Sequence, residues 1–422
     1  MSASSSSSIP PHRMPPNARR RSLLAVALGV LAILAAAPAP LPASATRVGF
    51  KEAFAASRGN AFVATADNPS AIYYNPAGLT QIEGQEILAS TYSIRLGSDY
   101  RSGLTGRTSS LKNETQTLPH FYYGWKQPRS KWALGVGFYA PFGLSTDWNG
   151  STDLLEFATR NRETYTTLNV AFAYELTDTL SVAGGLTYNH LKVDLRQGVY
   201  YSVLAPAAAY RFEADGSAAG YTLGLRWQPG KRHAFGLSYQ ARTRFDISGT
   251  SSLPPLLAAE PARANFVFPE VLIAGYSFRP APAWNIEANV DWTNWSCVNT
   301  VTISKASGAT PLVFNWRSSC FYELGATRYF KGGWNASGGL TWSENSVPDS
   351  SWNPAMPDVD RLFWNAGIGY SGSCFRATLA LQVAPNATRR IHNGGRTLFG
   401  STYDGTYDNS IKALSLSLDY RF

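Results

Sequence analysis

The last nine residues alternate without a break: Leu414, Leu416, Leu418, Tyr420 and Phe422 fall on one face, Ser415, Ser417, Asp419 and Arg421 on the other. Successive side chains of a strand point to opposite faces, so this period of two describes a sheet with one apolar and one polar side. One face suits lipid and the other water, and the chain stops at an aromatic, as the closing strand of an outer-membrane β-barrel does. Hydrophobic residues make up 44% of the 422 and charged residues only 15%, yet after residue 45 no apolar run approaches the ~20 residues of a spanning helix. A membrane protein without such helices must be a closed barrel, because only closure satisfies every backbone group in lipid.

Residues 1–45 read as an export signal and not as part of the fold. Arg19, Arg20 and Arg21 precede an apolar stretch from Leu23 to Ala37, and Ala43-Ser44-Ala45 is an A-x-A-like cleavage site. The competing reading, a retained anchor, is opposed by Pro38, Pro40 and Pro42, which break the helix early. The mature chain is expected to begin at Thr46. Removing the leader takes away four arginines and no acid, so the formal charge falls from +9 to +5. No Lys/Arg cluster marks a nucleic-acid surface; the modest excess suits anionic lipopolysaccharide. Cys297, Cys320 and Cys374 form no metal-binding spacing, and a disulfide between Cys297 and Cys320, which flank one predicted hairpin, stays open. No cofactor is expected.

Strand-like segments follow one another from about Gly84. Trp132, Leu134, Val136 and Phe138 alternate with Ala133, Gly135 and Gly137; Tyr221, Leu223, Leu225 and Trp227 alternate with Thr222, Gly224 and Arg226. Aromatics recur near strand ends, where an interfacial girdle would lie. Tight turns at Gln127-Pro128-Arg129-Ser130, Thr177-Asp178, Pro229-Gly230-Lys231, Pro280-Ala281-Pro282, Lys331-Gly332 and Ser371-Gly372 alternate with long polar connections near 98–115, 141–163, 190–215, 247–265, 296–313, 344–360 and 384–410. Short periplasmic turns and long extracellular loops have this rhythm. The fold expected for 84–422 is all-β: a transmembrane antiparallel barrel of about fourteen strands. Residues 46–83 show no period of two and carry a small-residue stretch from Ala53 to Ala66. A barrel this wide needs an open channel or a plug, and this segment is expected to be an N-terminal hatch.

Within it stands Asp67-Asn68-Pro69-Ser70-Ala71-Ile72-Tyr73-Tyr74-Asn75-Pro76-Ala77-Gly78-Leu79. Here the sequence resembles the FadL/TodX family of outer-membrane transporters of long-chain fatty acids and aromatic hydrocarbons, whose hatch carries an Asn-Pro-Ala motif. Ala140-Pro141-Phe142-Gly143-Leu144-Ser145-Thr146, Asp291-Trp292-Thr293-Asn294-Trp295-Ser296 and Pro357-Asp358-Val359-Asp360-Arg361 extend the resemblance over residues 46–422. It implies passive transport: capture of a hydrophobic ligand at extracellular loops, binding inside the barrel, and lateral release on hatch movement near an inward kink of the third strand. That kink would lie between Lys131 and Phe142, with Gly135 and Gly137 as candidates to absorb it; those glycines would otherwise merely thin the lumen face.

Physical reasoning supports a bracing role for the motif. Pro76 fixes its own φ and biases Asn75 towards extended backbone, while the Asn75 amide can hold a turn; an ordinary turn into the first strand is the alternative. Phe142, Leu144, Trp148, Leu154 and Leu155 are candidate capture residues, and Leu154, Leu155 and Ala158 fit one face of a short helix. A ligand carboxylate would need a basic partner, for which Arg226 and Arg421 are inward candidates. The four histidines of the mature chain, His120, His190, His233 and His392, stand in no nucleophile motif, which argues against an enzyme. A general porin is the competing function. Expected partners are the hydrophobic ligand, outer-membrane lipid and lipopolysaccharide, and the barrel-assembly machinery, with the protein a monomer.

Overall fold

The structure is a computed structural model that describes residues 46–148, 150–200, 207–397 and 400–422. The leader expected over 1–45 lies outside the described residues.

From Gly84 the chain forms fourteen antiparallel wall strands. In order they are Gly84–Ser102, Thr115–Lys126, Trp132–Tyr139 continued by Gly143–Asp147, Arg160–Thr177, Leu180–Val199, Ala208–Gly230, His233–Gln240 continued by Thr243–Leu253, Leu257–Phe268 continued by Val271–Phe278, Trp284–Thr293, Ser319–Tyr329, Trp334–Ser343, Arg361–Ser371, Phe375–Ile391 and Gly405–Arg421. The first and last strands close the barrel, paired from Glu86↔Arg421 to Ser102↔Gly405. Alternation sets the faces: Leu414, Leu416 and Leu418 are exposed on the outside, whereas Ser415, Ser417 and Asp419 are buried. Ring pairs Trp125–Trp132, Trp227–Phe235 and Trp334–Tyr370 flank the short turns and form one girdle.

The tight turns fall where the sequence puts them, but several long connections are shorter than expected. The fifth strand runs to Val199 and the sixth starts at Ala208, so much of 190–215 is ladder. Only residues 254–256 separate the seventh strand from the eighth. Beyond the lipid both faces of a strand are wet, so the apolar alternation that signals a strand fades there. Between the ninth and tenth strands a further hairpin, Thr300–Lys305 with Gly308–Val313, joins the eighth strand at Ala262↔Lys305 and Arg263↔Ser304. Cys297, Cys320 and Cys374 are free thiols.

Residues 46–83 form no wall strand. They fold into a short helix (Ala53–Ser57), a second (Ala71–Tyr74) and a 3-10 turn (Pro76–Gln81), nearly all of it buried inside the barrel. Glu52 caps the first helix by accepting from the N–H groups of Phe54 and Ala55. The segment's own turns satisfy much of its backbone, and inward carboxylates of the wall tie it down further. Glu287 accepts from Ala64 N–H at 2.8 Å and Thr65 N–H at 3.1 Å, and Glu323 accepts from the Asn60 amide at 2.8 Å. Wall glycines let the backbones approach: a Cβ at Gly325 would lie 2.0 Å from the Arg58 carbonyl oxygen, and one at Gly236 would lie 2.2 Å from that of Val63.

Candidate functional site

The Asn-Pro-Ala motif sits at the junction of the inner segment and the wall. Asn75 is extended (φ −163°, ψ 100°), as the following proline demands, and Pro76 opens the 3-10 turn. The Asn75 amide donates to the carbonyls of Val63 at 2.8 Å and Leu225 at 3.0 Å, and its oxygen accepts from Ala77 N–H at 3.2 Å. One side chain thus ties two parts of the inner segment to the sixth strand. Gly224 of that strand leaves it room, since a Cβ there would lie 2.5 Å from the Asn75 oxygen.

The helix just before the motif leans on the third strand. A Cβ at Gly135 or Gly137 would press on Ile72 at 2.8 and 3.0 Å. The strand is regular through both glycines, from Trp125↔Leu134 to Phe121↔Phe138. Neither glycine absorbs the bend expected of it; both clear space for Ile72. The irregularity comes later, at Ala140-Pro141-Phe142, where the ladder to the fourth strand slips between Tyr139↔Thr167 and Gly143↔Thr164.

From that point the wall has a gap. The second strand pairs with the first along Thr115–His120 but has no third-strand partner there, so the ladder is missing between it and Ala140–Thr146, up to where Lys112 N–H donates to the Asp147 carbonyl at 2.9 Å. Prolines stand on both edges, Pro119 and Pro141, and a proline brings no N–H with which to complete a ladder. Pro119 was a readable signal of an unpaired edge. Residues 46–48 occupy the break: Gly143 N–H donates to the Thr46 carbonyl at 2.7 Å and Val48 N–H to the Pro141 carbonyl at 2.9 Å. Between these bonds, Arg47 reaches across the bore to the ninth strand and grips Asp291 with both Nη atoms at 2.5 and 2.6 Å, adding Thr293 at 2.9 Å.

Behind this stopper, on the extracellular side, lies a cavity of about 560 Å³. Leu144, Phe268, Trp295, Leu312, Trp316 and Met356 give it a largely apolar lining, and Thr46 forms part of it. Phe142 stands between break and cavity, with ring centroids 5.1 Å from Phe268 and 5.7 Å from Trp295. Of the expected capture residues, Leu144 lines the cavity and Phe142 packs on its wall. The others hold the loops together. Trp148 Nε1 donates to the Pro354 carbonyl at 2.8 Å, Leu154 is fully buried, and Leu155 packs on Gly198. The expected helix around Leu154 is instead a series of turns, with Phe157 and Ala158 N–H groups both donating to the Leu154 carbonyl. Phe268 escapes sequence reading because its ring partners Phe142 and Tyr165 are remote in the chain, and the 300–313 hairpin, though locally paired, because it falls in a stretch that reads as a polar connection.

Arg226 and Arg421 do not reach this cavity. They line a separate one of about 390 Å³ at the periplasmic mouth, where Arg226 donates to the Ala64 carbonyl at 2.9 Å and Arg421 lies 3.4 Å from Glu86. Among the described residues no cluster of His, Cys, Asp and Glu is arranged to hold a metal.

A lipid-facing barrel, its bore filled by its own N-terminal segment and its wall interrupted beside an apolar cavity, defines a plugged outer-membrane channel. The chain belongs to the family of outer membrane protein transport proteins (OMPP1/FadL/TodX), whose pattern matches residues 33–422. It is similar to the long-chain fatty acid transport protein of Escherichia coli, with 25% identity over 399 residues, 80% of this chain and 86% of the other. It is also similar to the 47 kDa outer membrane protein of Pasteurella multocida, 25% identical over 391 residues, 83% and 87% of the two chains. The fold matches a FadL homologue of Pseudomonas aeruginosa at a TM-score of 0.78 and 17% identity, covering 90% of this chain and 100% of that one. It matches the Pseudomonas putida toluene transporter TodX at 0.70 and 14% identity, covering 90% and 99%. The family consists of transport proteins, and this one is an outer-membrane protein.

Proposed function

We propose that this protein carries hydrophobic small molecules passively across the outer membrane and releases them sideways through its wall. The observation that supports this most directly is the juxtaposition of an apolar cavity with a gap in the barrel, separated by three residues of the inner segment. A cavity of about 560 Å³ is the size of an ordinary small-molecule site. The named cargoes of its relatives, long-chain fatty acids and toluene, indicate the class.

Burial drives each step. An apolar molecule gains free energy on leaving water for the aromatic lining, and gains again on entering lipid, so no energy source is needed. Release downwards would take it through the polar periplasmic mouth; release through the gap does not. Residues 46–83 act as the hatch, with Asn75, Pro76 and Ala77 as its brace against the sixth strand. Lipopolysaccharide around the rim, insertion by the barrel-assembly machinery, and a monomeric state belong to the same proposal.

The test is uptake of labelled oleate and labelled toluene by cells lacking a transporter of their own. Intact protein, Asn75→Ala and an empty vector are compared. Uptake of either label above the vector, reduced by Asn75→Ala, is the expected result. If both labels match the vector although the barrel is inserted, the proposal fails; steady ionic conductance of the intact protein would then point to a porin.

A further inference from the structure

We propose that Lys51 is the group through which an anionic headgroup, a carboxylate ending an apolar chain, loosens the stopper and opens the wall. The inference rests on the lateral-release reading and adds to it a trigger and a cargo chemistry.

Lys51 is fully buried inside the barrel. Its backbone is fixed on both sides: its N–H donates to the Tyr74 hydroxyl at 3.0 Å, and its carbonyl meets His120 Nδ1 at 2.6 Å. The side chain reaches back to the stopper, where Nζ donates to the Val48 carbonyl and lies 4.9 Å from the centre of the Tyr73 ring. Among the described residues no carboxylate pairs with it. Arg47, whose charge acts on it, has the same sign and is engaged by Asp291. Glu52 is turned to its helix cap, to Asn68 and to Ser417. Burial and the Arg47 charge push the Lys51 amine well below the usual lysine range. A methionine would fill this volume at no electrostatic cost. What lysine adds is the capacity to meet an anion.

The Val48 peptide makes the arrangement more than a buried amine. Its N–H holds the third strand at Pro141, and its carbonyl is the acceptor for Lys51. Closure of the gap and satisfaction of the lysine therefore share one residue. A cargo carboxylate arriving from the cavity pairs with Lys51 Nζ, and no covalent bond between heavy atoms is made or broken. The resulting ammonium–carboxylate pair is stronger than the amine–carbonyl bond it displaces. Val48 then loses one of its two tethers, and residues 46–48 are freer to leave the break. A neutral molecule of the same length fits the cavity but cannot make this exchange.

Two measurements on the full chain test this. In cells, uptake of labelled palmitic acid and labelled 1-hexadecanol is compared for the native protein, Lys51→Met, Lys51→Arg and an empty vector, with barrel insertion checked by heat-modifiable migration. The native protein should take up the acid several-fold faster than the alcohol. Lys51→Met, which also removes the Val48 tether, should abolish the preference, so that acid and alcohol enter at one common rate, and Lys51→Arg should keep part of the preference. With purified protein, palmitic acid should speed hydrogen exchange at the Val48 and Gly143 amides in the native chain, not in Lys51→Met, and hexadecanol should not. Equal native rates, or a preference that survives Lys51→Met, overturns the inference. Exchange that responds to the acid without any uptake sinks the transport reading and leaves the Lys51 switch standing.

Discussion

Arg47 and Asp291 form a buried ion pair joining residues 244 apart in sequence. Such a pair adds little over an apolar substitute, but breaking it from one side leaves an uncompensated charge at a cost of about 3–5 kcal/mol. Asp291→Ala should therefore loosen the stopper far more than it weakens the barrel, seen as faster proteolysis or hydrogen exchange at residues 46–50 with an unchanged melting temperature. Asn75→Ala removes two donated bonds and one accepted bond. At about 1 kcal/mol each, that is enough to shift the balance between a seated and an unseated hatch. Asn75 was legible because its chemistry is local: a proline follows it and its turn closes within three residues. The Arg47–Asp291 partnership was not, since Asp291 reads equally well as one more inward polar residue of an alternating strand.

At the level of the strand, the break stands at prolines to which sequence reasoning gave no part, and not at the glycines it offered for a bend. Gly135 and Gly137 lie in regular ladder and serve as clearance for Ile72, while Pro119 and Pro141 edge the break. Replacing both prolines by valine restores two N–H donors where the second and third strands diverge. The expected outcome is a several-fold fall in cargo uptake with normal barrel insertion, measured in the uptake assay. Gly236→Val should act in the opposite sense. Its new Cβ would meet the Val63 carbonyl oxygen, displace the inner segment and give steady conductance in a planar bilayer where the native protein is quiet. Tight turns and lipid-facing strands were legible because the membrane imposes strict alternation on them. The extracellular ladder was not, because no solvent contrast marks it.

The molecule as a whole is a closed wall around a removable interior. The wall is laddered to itself and closed from the first strand to the last, whereas residues 46–83 add to their own turns a set of bonds to inward wall carboxylates. Deleting 46–83 should leave a heat-modifiable barrel that conducts ions continuously, and retention of a silent, plugged state would contradict that division. The barrel class and strand number were legible in the rhythm of turns and alternation; the gap was legible only through Pro119 and the third-strand kink that the family resemblance implies, since it consists of pairing that does not occur. The length of the ladder has one more consequence. The sixth strand has 23 residues, against the ~9–11 that a bilayer requires, so the wall rises on the order of 30 Å beyond the lipid. A hydrogen-bonded chimney of that height keeps its shape, and the mouth of the bore stands well clear of the membrane surface. A greasy molecule drifting in from water meets aromatic rings before it meets any lipid, and it passes the sugar coat of the cell inside a sheath of protein.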